Sequence, residues 1–333
     1  FNVVAKLPAD QTRDKRAGVI VIGAHYDHLG MGGDSSLAPG VSAPHVGADD
    51  NASGVAALLE AARSLQATGG RQRDIWFVAF SAEEVGILGS AEFVRSLPPG
   101  IAKSDQIVAM LNMDMVGRMR DNQLTLLGGG TAKEWPGLVS AACAVARVDC
   151  STSGSGYGPS DQTPFYAAGV PVLHLFTGAH ADYHKPSDVP EHINAAGIGQ
   201  VAVIVTTLTQ SLIGIEKLSF VEVAGAQPRA GDARSRGASL GTVPDYAGPP
   251  DGQRGMLLAG VRPDGPADRA GLRRGDILVK LGDHDVGDVR DLMYALQSAT
   301  PGETVDAVVL RDGERLTLAV TTGEPPRGCR ARV

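Results

Sequence analysis

The sequence predicts an α/β layered domain with a mostly parallel central sheet, followed by a small β-rich domain. Three observations carry that prediction. Up to about residue 215, short apolar runs of strand length alternate with stretches whose apolar residues recur at helical spacing. Residues 222–236 then shift to Ala, Gly, Arg, Gln and Pro with few large apolar side chains, the composition of a linker. Beyond them, residues 239–322 hold four β-type runs and one helical pattern. The expected limits are 1–220 for the large domain, 221–237 for the linker, 238–325 for the small domain and 326–333 for a tail.

Each element follows from its local pattern. VIVIGA at 19–24 is a continuous apolar run, hence a central strand. In 54–65, Val55, Leu58, Leu59, Ala62 and Leu65 fall at helical spacing, with Asn51 and Ser53 ahead of them as capping groups. IWFVAF at 75–80 is the next strand, and 88–97 a helix ended by Pro98 and Pro99. Residues 107–113 form another strand, and 133–147 a helix that tolerates Pro136 near its start. VPVLHLF at 170–176 closes the series as a strand and 195–212 as a helix. In the small domain, 256–261, 277–281, 305–310 and 316–320 read as strands and 289–297 as a helix.

The 333 residues are 43% hydrophobic and 20% charged, with a formal net charge of −7 and no basic stripe, which excludes a polyphosphate-binding protein. The apolar stretch 201–215 is broken by Thr206, Thr207, Thr209, Gln210 and Ser211, so it reads as a buried or amphipathic helix rather than a membrane span. Cys143 and Cys150 could pair in an oxidising compartment or remain small buried thiols. The chain begins at Phe1 without Met or a basic-then-apolar leader, the expectation for a processed or trimmed form of a longer precursor.

Five segments carry the residues of chemical interest: His25-Tyr26-Asp27, Asp49-Asp50-Asn51, Glu83-Glu84, Asp114 and Tyr183-His184. Three of them directly follow the runs VIVIGA, IWFVAFSA and VAMLNM, and ligands of open α/β sheets gather beyond the carboxyl ends of the strands. Carboxylates crowded into one crevice repel one another and take up protons unless positive charge sits among them. Divalent ions supply it, and two imidazoles with several carboxylates and no thiolate suit zinc best, with manganese or cobalt as alternatives. Asp27 lies two residues from His25 on an extended segment, where it can accept the other ring N–H and fix the tautomer.

AHYDH, GADDNASG, SAEEVGILGS, NMDMVG and DYHKPSD, in that order, resemble the co-catalytic zinc aminopeptidase family of bacterial leucyl aminopeptidases, over roughly residues 2–212. The resemblance implies a three-layer zinc-exopeptidase fold holding two Zn2+ ions. Asp50 would bridge them, with one ion on His25 and Asp114 and the other on Glu84 and His184. It also implies a cis bond between Asp50 and Asn51, and Glu83 as the general base. A water polarised between two dications would give its proton to Glu83, which returns it to the leaving amine. Tyr183 is the candidate donor to the developing oxyanion, and carboxylates beside the metals favour a free α-ammonium group, hence cleavage at the amino terminus of a peptide or protein substrate. Export to the periplasm or medium is implied in the same way.

Other polar residues have plainer readings. His180, four before His184, sits among loop formers and reads as a pocket residue. His174 lies inside a strand and reads as a hydrogen-bonded core histidine, while His28, His45, His192 and His284 show no role in the sequence. Arg118 could touch substrate or form a surface ion pair. Tyr157, in the Gly-rich stretch 153–160, suggests a pocket wall or a plain connection. Residues 239–241, then GMLLAGVRPDGPADRAGLRRGDILVKLGDHDV and LMYALQSATPGETVDAVVLRDGERLTLAV, resemble a bacterial, circularly permuted PDZ domain. In that family a peptide end adds a strand to the sheet edge, its carboxylate held by a loop such as the one at Leu240 and Gly241. The implied partners are peptides; neither nucleic acid nor a transmembrane segment is expected. Alternatives are a carboxypeptidase or dipeptidase on the same fold, a one-zinc glutaminyl cyclase relative, or a metal-dead binding module built on the PDZ groove.

Overall fold

The computed structural model describes residues 1–10, 15–33, 35–38, 40–154, 156–223, 238–244, 249, 253–262, 264–287 and 289–323. The expected linker from 224 onward and the tail at 326–333 lie outside them. The chain divides into two compact units. One holds Phe1–Gly30, His45–Gly178 and Pro186–Val223, and the other Met31–Pro44, Ala179–Lys185 and Ala224–Val333.

The first unit is built on seven strands: β1 (Val3–Leu7), β2 (Val19–His25), β3 (Asp74–Phe80), β4 (Ile107–Met113), β5 (Gln123–Leu127), β6 (Asp149–Ser153) and β7 (Val172–Phe176). Their order across the sheet is β1-β3-β2-β4-β7-β5-β6. β2 pairs in parallel with β3 and β4, as do β4 with β7 and β5 with β6, whereas β1 on β3 and β5 on β7 are antiparallel. The sheet is thus mixed with a parallel centre. Both faces of β2 are covered, as its unbroken apolar run requires. Ile20, Ile22 and Ala24 enter a core with α1 (Gly54–Thr68), α3 (Trp135–Ala146) and α5 (Ala195–Gly214). Val19 and Val21 enter another with Phe93 of α2 (Leu88–Arg95) and Phe165 of α4 (Gln162–Ala167). Helix, sheet and helix make three layers.

α5 is long and apolar enough to cross a membrane by length and composition, with a mean hydropathy of 1.5. Its Val201, Ile204, Val205, Leu208 and Leu212 are fully buried in the core shared with α1 and α3. Cys143 of α3 and Cys150 of β6 form a disulfide, which settles the choice that the sequence left open.

In the second unit β8 (Thr242–Pro244), β9 (Met256–Val261), β10 (Ile277–Leu281), β12 (Thr304–Arg311) and β13 (Glu314–Thr321) form an antiparallel sheet ordered β13-β12-β10-β9-β8, with β11 (His284–Asp285) paired to β10. α6 (Pro266–Arg269) and α7 (Val289–Ser298) accompany it. Leu240, Met256, Leu258, Leu278, Leu292, Val309 and Val320 fill its core. Asp276, 1% exposed, accepts two bonds from Arg311, Nε at 2.7 Å and Nη2 at 2.8 Å, so the buried carboxylate is paired.

Candidate metal centre

The parallel register sets the site. His25 of β2 stands level with Phe80 of β3, and Gly23 with Asn112 of β4. The residues just beyond these strands, Glu83, Glu84 and Asp114, therefore share the carboxyl-terminal edge of the sheet with His25. His25 is 1% exposed, and its Nε2 lies 3.3 Å from Asp50 Oδ1 and 3.3 Å from Asp114 Oδ1. Its Nδ1 lies 3.1 Å from the Asp27 carbonyl oxygen and 3.8 Å from the Asp27 carboxylate. The Asp27 carbonyl thus stands nearer the ring than the Asp27 carboxylate does. The carboxylate turns instead to the next ligand-bearing loop, accepting the Glu83 N–H at 3.1 Å and the Glu84 N–H at 3.4 Å.

A second triad lies beside the first. His28 Nδ1 is 2.7 Å from Glu84 Oε1 and 3.9 Å from Asp50 Oδ2. Donor atoms of His25, Asp50 and Asp114, and separately of His28, Asp50 and Glu84, fall within 4.8 Å of one another. Asp50 thus turns one oxygen to each set. Sequence reasoning passed over His28. AHYDH reads as a single imidazole ligand, and His28 gains meaning only because the chain after β2 brings it beside Glu84.

Asp50 is held by a backbone scaffold. It sits in an irregular helical turn, Ala48–Ser53, where Asp50 (φ −105°, ψ 89°) and Asn51 (φ −135°, ψ 41°) leave helical geometry across a cis peptide bond. Gly47, at φ 57°, precedes it, and a Cβ there would stand 2.1 Å from the Asp50 carbonyl oxygen. Asn51 Nδ2 donates to Met113 O at 3.0 Å, while its Oδ1 accepts the N–H groups of Gly54 and Met115 at 3.0 and 3.2 Å. Asn51, not Asp50, therefore caps α1, as its sequence position allowed. Asp188, fully buried, accepts the N–H groups of Asp49 and Asp50 through Oδ2 at 2.9 and 3.1 Å, and Arg118 Nη2 through Oδ1 at 3.2 Å. Arg118 is accordingly part of a buried ion pair, not a surface one.

The charge balance fits a cation. Burial pushes the His25 imidazole down, yet the charges of Asp114 and Glu83 and hydrogen bonds to Asp114 and Asp50 hold it well above its ordinary value. An imidazole raised by carboxylates in spite of its burial marks excess negative charge around it, which a dication would offset. Beneath it Asp161, fully buried and not singled out in the sequence, has its carboxyl pushed up to about 7 by burial, against the pull of the His25 charge. His174 is the core histidine expected: its Nδ1 is 3.1 Å from Asn112 Nδ2, and burial lowers its pKa. Tyr157 packs edge-on against Tyr166, ring centroids 4.7 Å apart, and burial raises its hydroxyl.

Tyr183, His184 and His180 belong to the second unit. His184 Nδ1 is 2.9 Å from Ser35 O and its ring stacks on Tyr183 at 3.9 Å. His180 Nδ1 accepts the Asp182 N–H at 3.2 Å. Leu240 is 1% exposed in the core of the small sheet, and the Gly241 N–H, expected to meet a peptide carboxylate, donates to Ser239 Oγ at 3.1 Å.

Residues 2–209 match the model of peptidase family M28. The chain belongs to that family. Residues 233–322 match the PDZ domain model. The M28 stretch is 29% identical to aminopeptidase YwaD of Bacillus subtilis over 213 residues, covering 61% of this chain and 43% of that protein. In structure it resembles BSAP, a zinc aminopeptidase from Bacillus subtilis, with a TM-score of 0.52 at 26% identity, over 66% of this chain and 50% of that one. The match thus spans half or less of these relatives' own length. The PDZ stretch is 40% identical over 76 residues to a probable periplasmic serine endoprotease DegP-like protein of Ectopseudomonas mendocina, covering 23% of this chain and 16% of that protein.

Proposed function

We propose that this M28 chain is a zinc aminopeptidase that releases amino-terminal residues from peptides or proteins. The observation that carries the reading is Asp50, one carboxylate whose two oxygens face two different imidazole–carboxylate sets. His25, Asp50 and Asp114 would hold one zinc; Asp50 and Glu84, with His184, would hold the other. Bound there, the two ions would supply Lewis acidity that lowers the proton affinity of a water and polarises the scissile carbonyl. Glu83, fixed at the mouth of β3 by the Asp27 carboxylate, accepts the water's proton and returns it to the leaving amine. Tyr183 donates its phenolic hydrogen to the oxyanion, a charge that exists only in the transition state. The remaining carboxylates attract the substrate's α-ammonium group, which directs cleavage to the chain end.

The PDZ domain would capture extended peptide ends or limit access to the metal site. The Cys143–Cys150 disulfide supports an exported protein, because such bonds persist in oxidising compartments. Glu83→Gln tests the reading. It should keep the zinc content of the wild type while kcat on a leucyl anilide falls by about two to four orders of magnitude. A variant with near-native turnover removes Glu83 as the base.

A further inference from the structure

The opposite end of the parallel sheet holds a second polar site. His25 and Asp114 lie at the carboxyl ends of β2 and β4, whereas a cavity of about 170 Å³ opens at the amino ends, roughly 20 Å away at about 3.3 Å per strand residue. Lys15, Arg16 and Arg73 line it, with Asp74, Gly18 and Gln106. Arg73 is 1% exposed. Its Nη2 donates to the carbonyl of Ile215, just past α5, but its Nε and Nη1 have no hydrogen-bond partner among the described residues.

Leaving two guanidinium nitrogens, with three N–H bonds between them, and a full charge unanswered in the interior is costly, and buried polar groups are normally satisfied by protein, water or ligand. The neighbouring carboxylate does not answer them. Asp74 Oδ2 pairs with Lys6 Nζ at 2.6 Å and its Oδ1 accepts the Ala9 N–H at 2.8 Å. Arg16 adds to the imbalance: burial first and then the Arg16 charge lower the Arg73 pKa, the mark of two cations held close together. Arg16 is itself fixed, its N–H donating to Gln72 O at 2.6 Å and its Nε to Gln72 Oε1 at 3.1 Å. Water can satisfy the orphaned N–H groups but cannot offset the charge. The Nε–H and Nη1–H groups lie on different edges of the guanidinium, so one can donate to an oxygen of a small oxyanion while water meets the other, and the cavity has room for such an anion together with water.

We infer that this cavity binds a small tetrahedral oxyanion of the sulfate or phosphate class, with Arg73 supplying the buried donors and Lys15 and Arg16 the further charges. The anion would tie the starts of β2 and β3 to the segment after α5. The site is independent of the zinc chemistry. Sodium sulfate, a poor zinc chelator, is titrated into the full zinc-loaded chain at ionic strength held constant with sodium chloride, and both the unfolding midpoint and the heat of binding are followed. Sulfate should bind saturably and raise Tm. The double variant Lys15→Gln/Arg16→Gln, whose changed side chains sit at the surface, should bind it at least tenfold more weakly. Arg73→Gln, which removes the buried charge, should lose most of the effect. No saturable binding by the wild type, or unchanged binding by the double variant, overturns the assignment; binding at the zinc site alone would appear as the second of these.

Discussion

At the scale of single residues, the proposed chemistry rests on Asp50. Its Oδ1 stands 3.3 Å from His25 Nε2 and its Oδ2 3.9 Å from His28 Nδ1, so a single carboxylate links two ligand groups. A metal there would offset the negative charge that these carboxylates bring to His25. His28 adds a point that ligand spacing does not reveal, because its Nδ1 is 2.7 Å from the Glu84 carboxylate. Under the proposed function, removing it loosens the zinc site that Asp50 and Glu84 would share. His28→Ala should raise the zinc dissociation constant of that site by about 10–100-fold, while His45→Ala leaves it unchanged, as read by competition with a chromogenic chelator. Equal affinities for the two variants would remove His28 from the site.

At the scale of elements, the irregular turn Ala48–Ser53 holds Asp50 because Asp188, Asn51 and Asp49 bond backbone groups rather than ligands. Asp188 meets two N–H groups of the turn and the Arg118 guanidinium at once. Asp188→Ala leaves Arg118 without its buried counter-charge and both N–H groups of the turn without their acceptor, at a cost of about 3 kcal/mol. Thermal unfolding should show that loss, with zinc affinity falling in parallel because the Asp50 backbone loses its anchor. A variant with native Tm and zinc affinity would contradict this role.

The central strands were legible because continuous apolar runs leave few alternatives: 19–24, 75–80 and 107–113 are all but the observed β2, β3 and β4. The sheet edges were not. β1 is exposed along most of its length and β6 reads DCSTS, so neither carries an apolar signature, and α4 is a single short turn after a Gly-rich loop. The site divides in the same way. Residues that directly follow apolar strands could be named from the sequence, whereas Asp188, Asp161 and His28 act through contacts between distant segments, which no local pattern encodes.

At the scale of the whole molecule, an M28 peptidase stretch is joined to a PDZ stretch. Under the recruitment reading, removing residues 239–333 should lower kcat/KM on long peptides and leave hydrolysis of a leucyl anilide unchanged. Equal rates on both substrate lengths before and after removal would leave the PDZ stretch without a part in catalysis.

In the proposed function, dications balance the cluster of His25, Asp50, Glu84 and Asp114. Zinc content by mass spectrometry, read with leucyl anilide hydrolysis before chelation, after it and after zinc is restored, tests that balance most directly. The expected result is two zinc ions per chain, activity abolished with their removal, and recovery on their return. Full activity in metal-free protein, or failure to bind zinc when it is in excess, would contradict it.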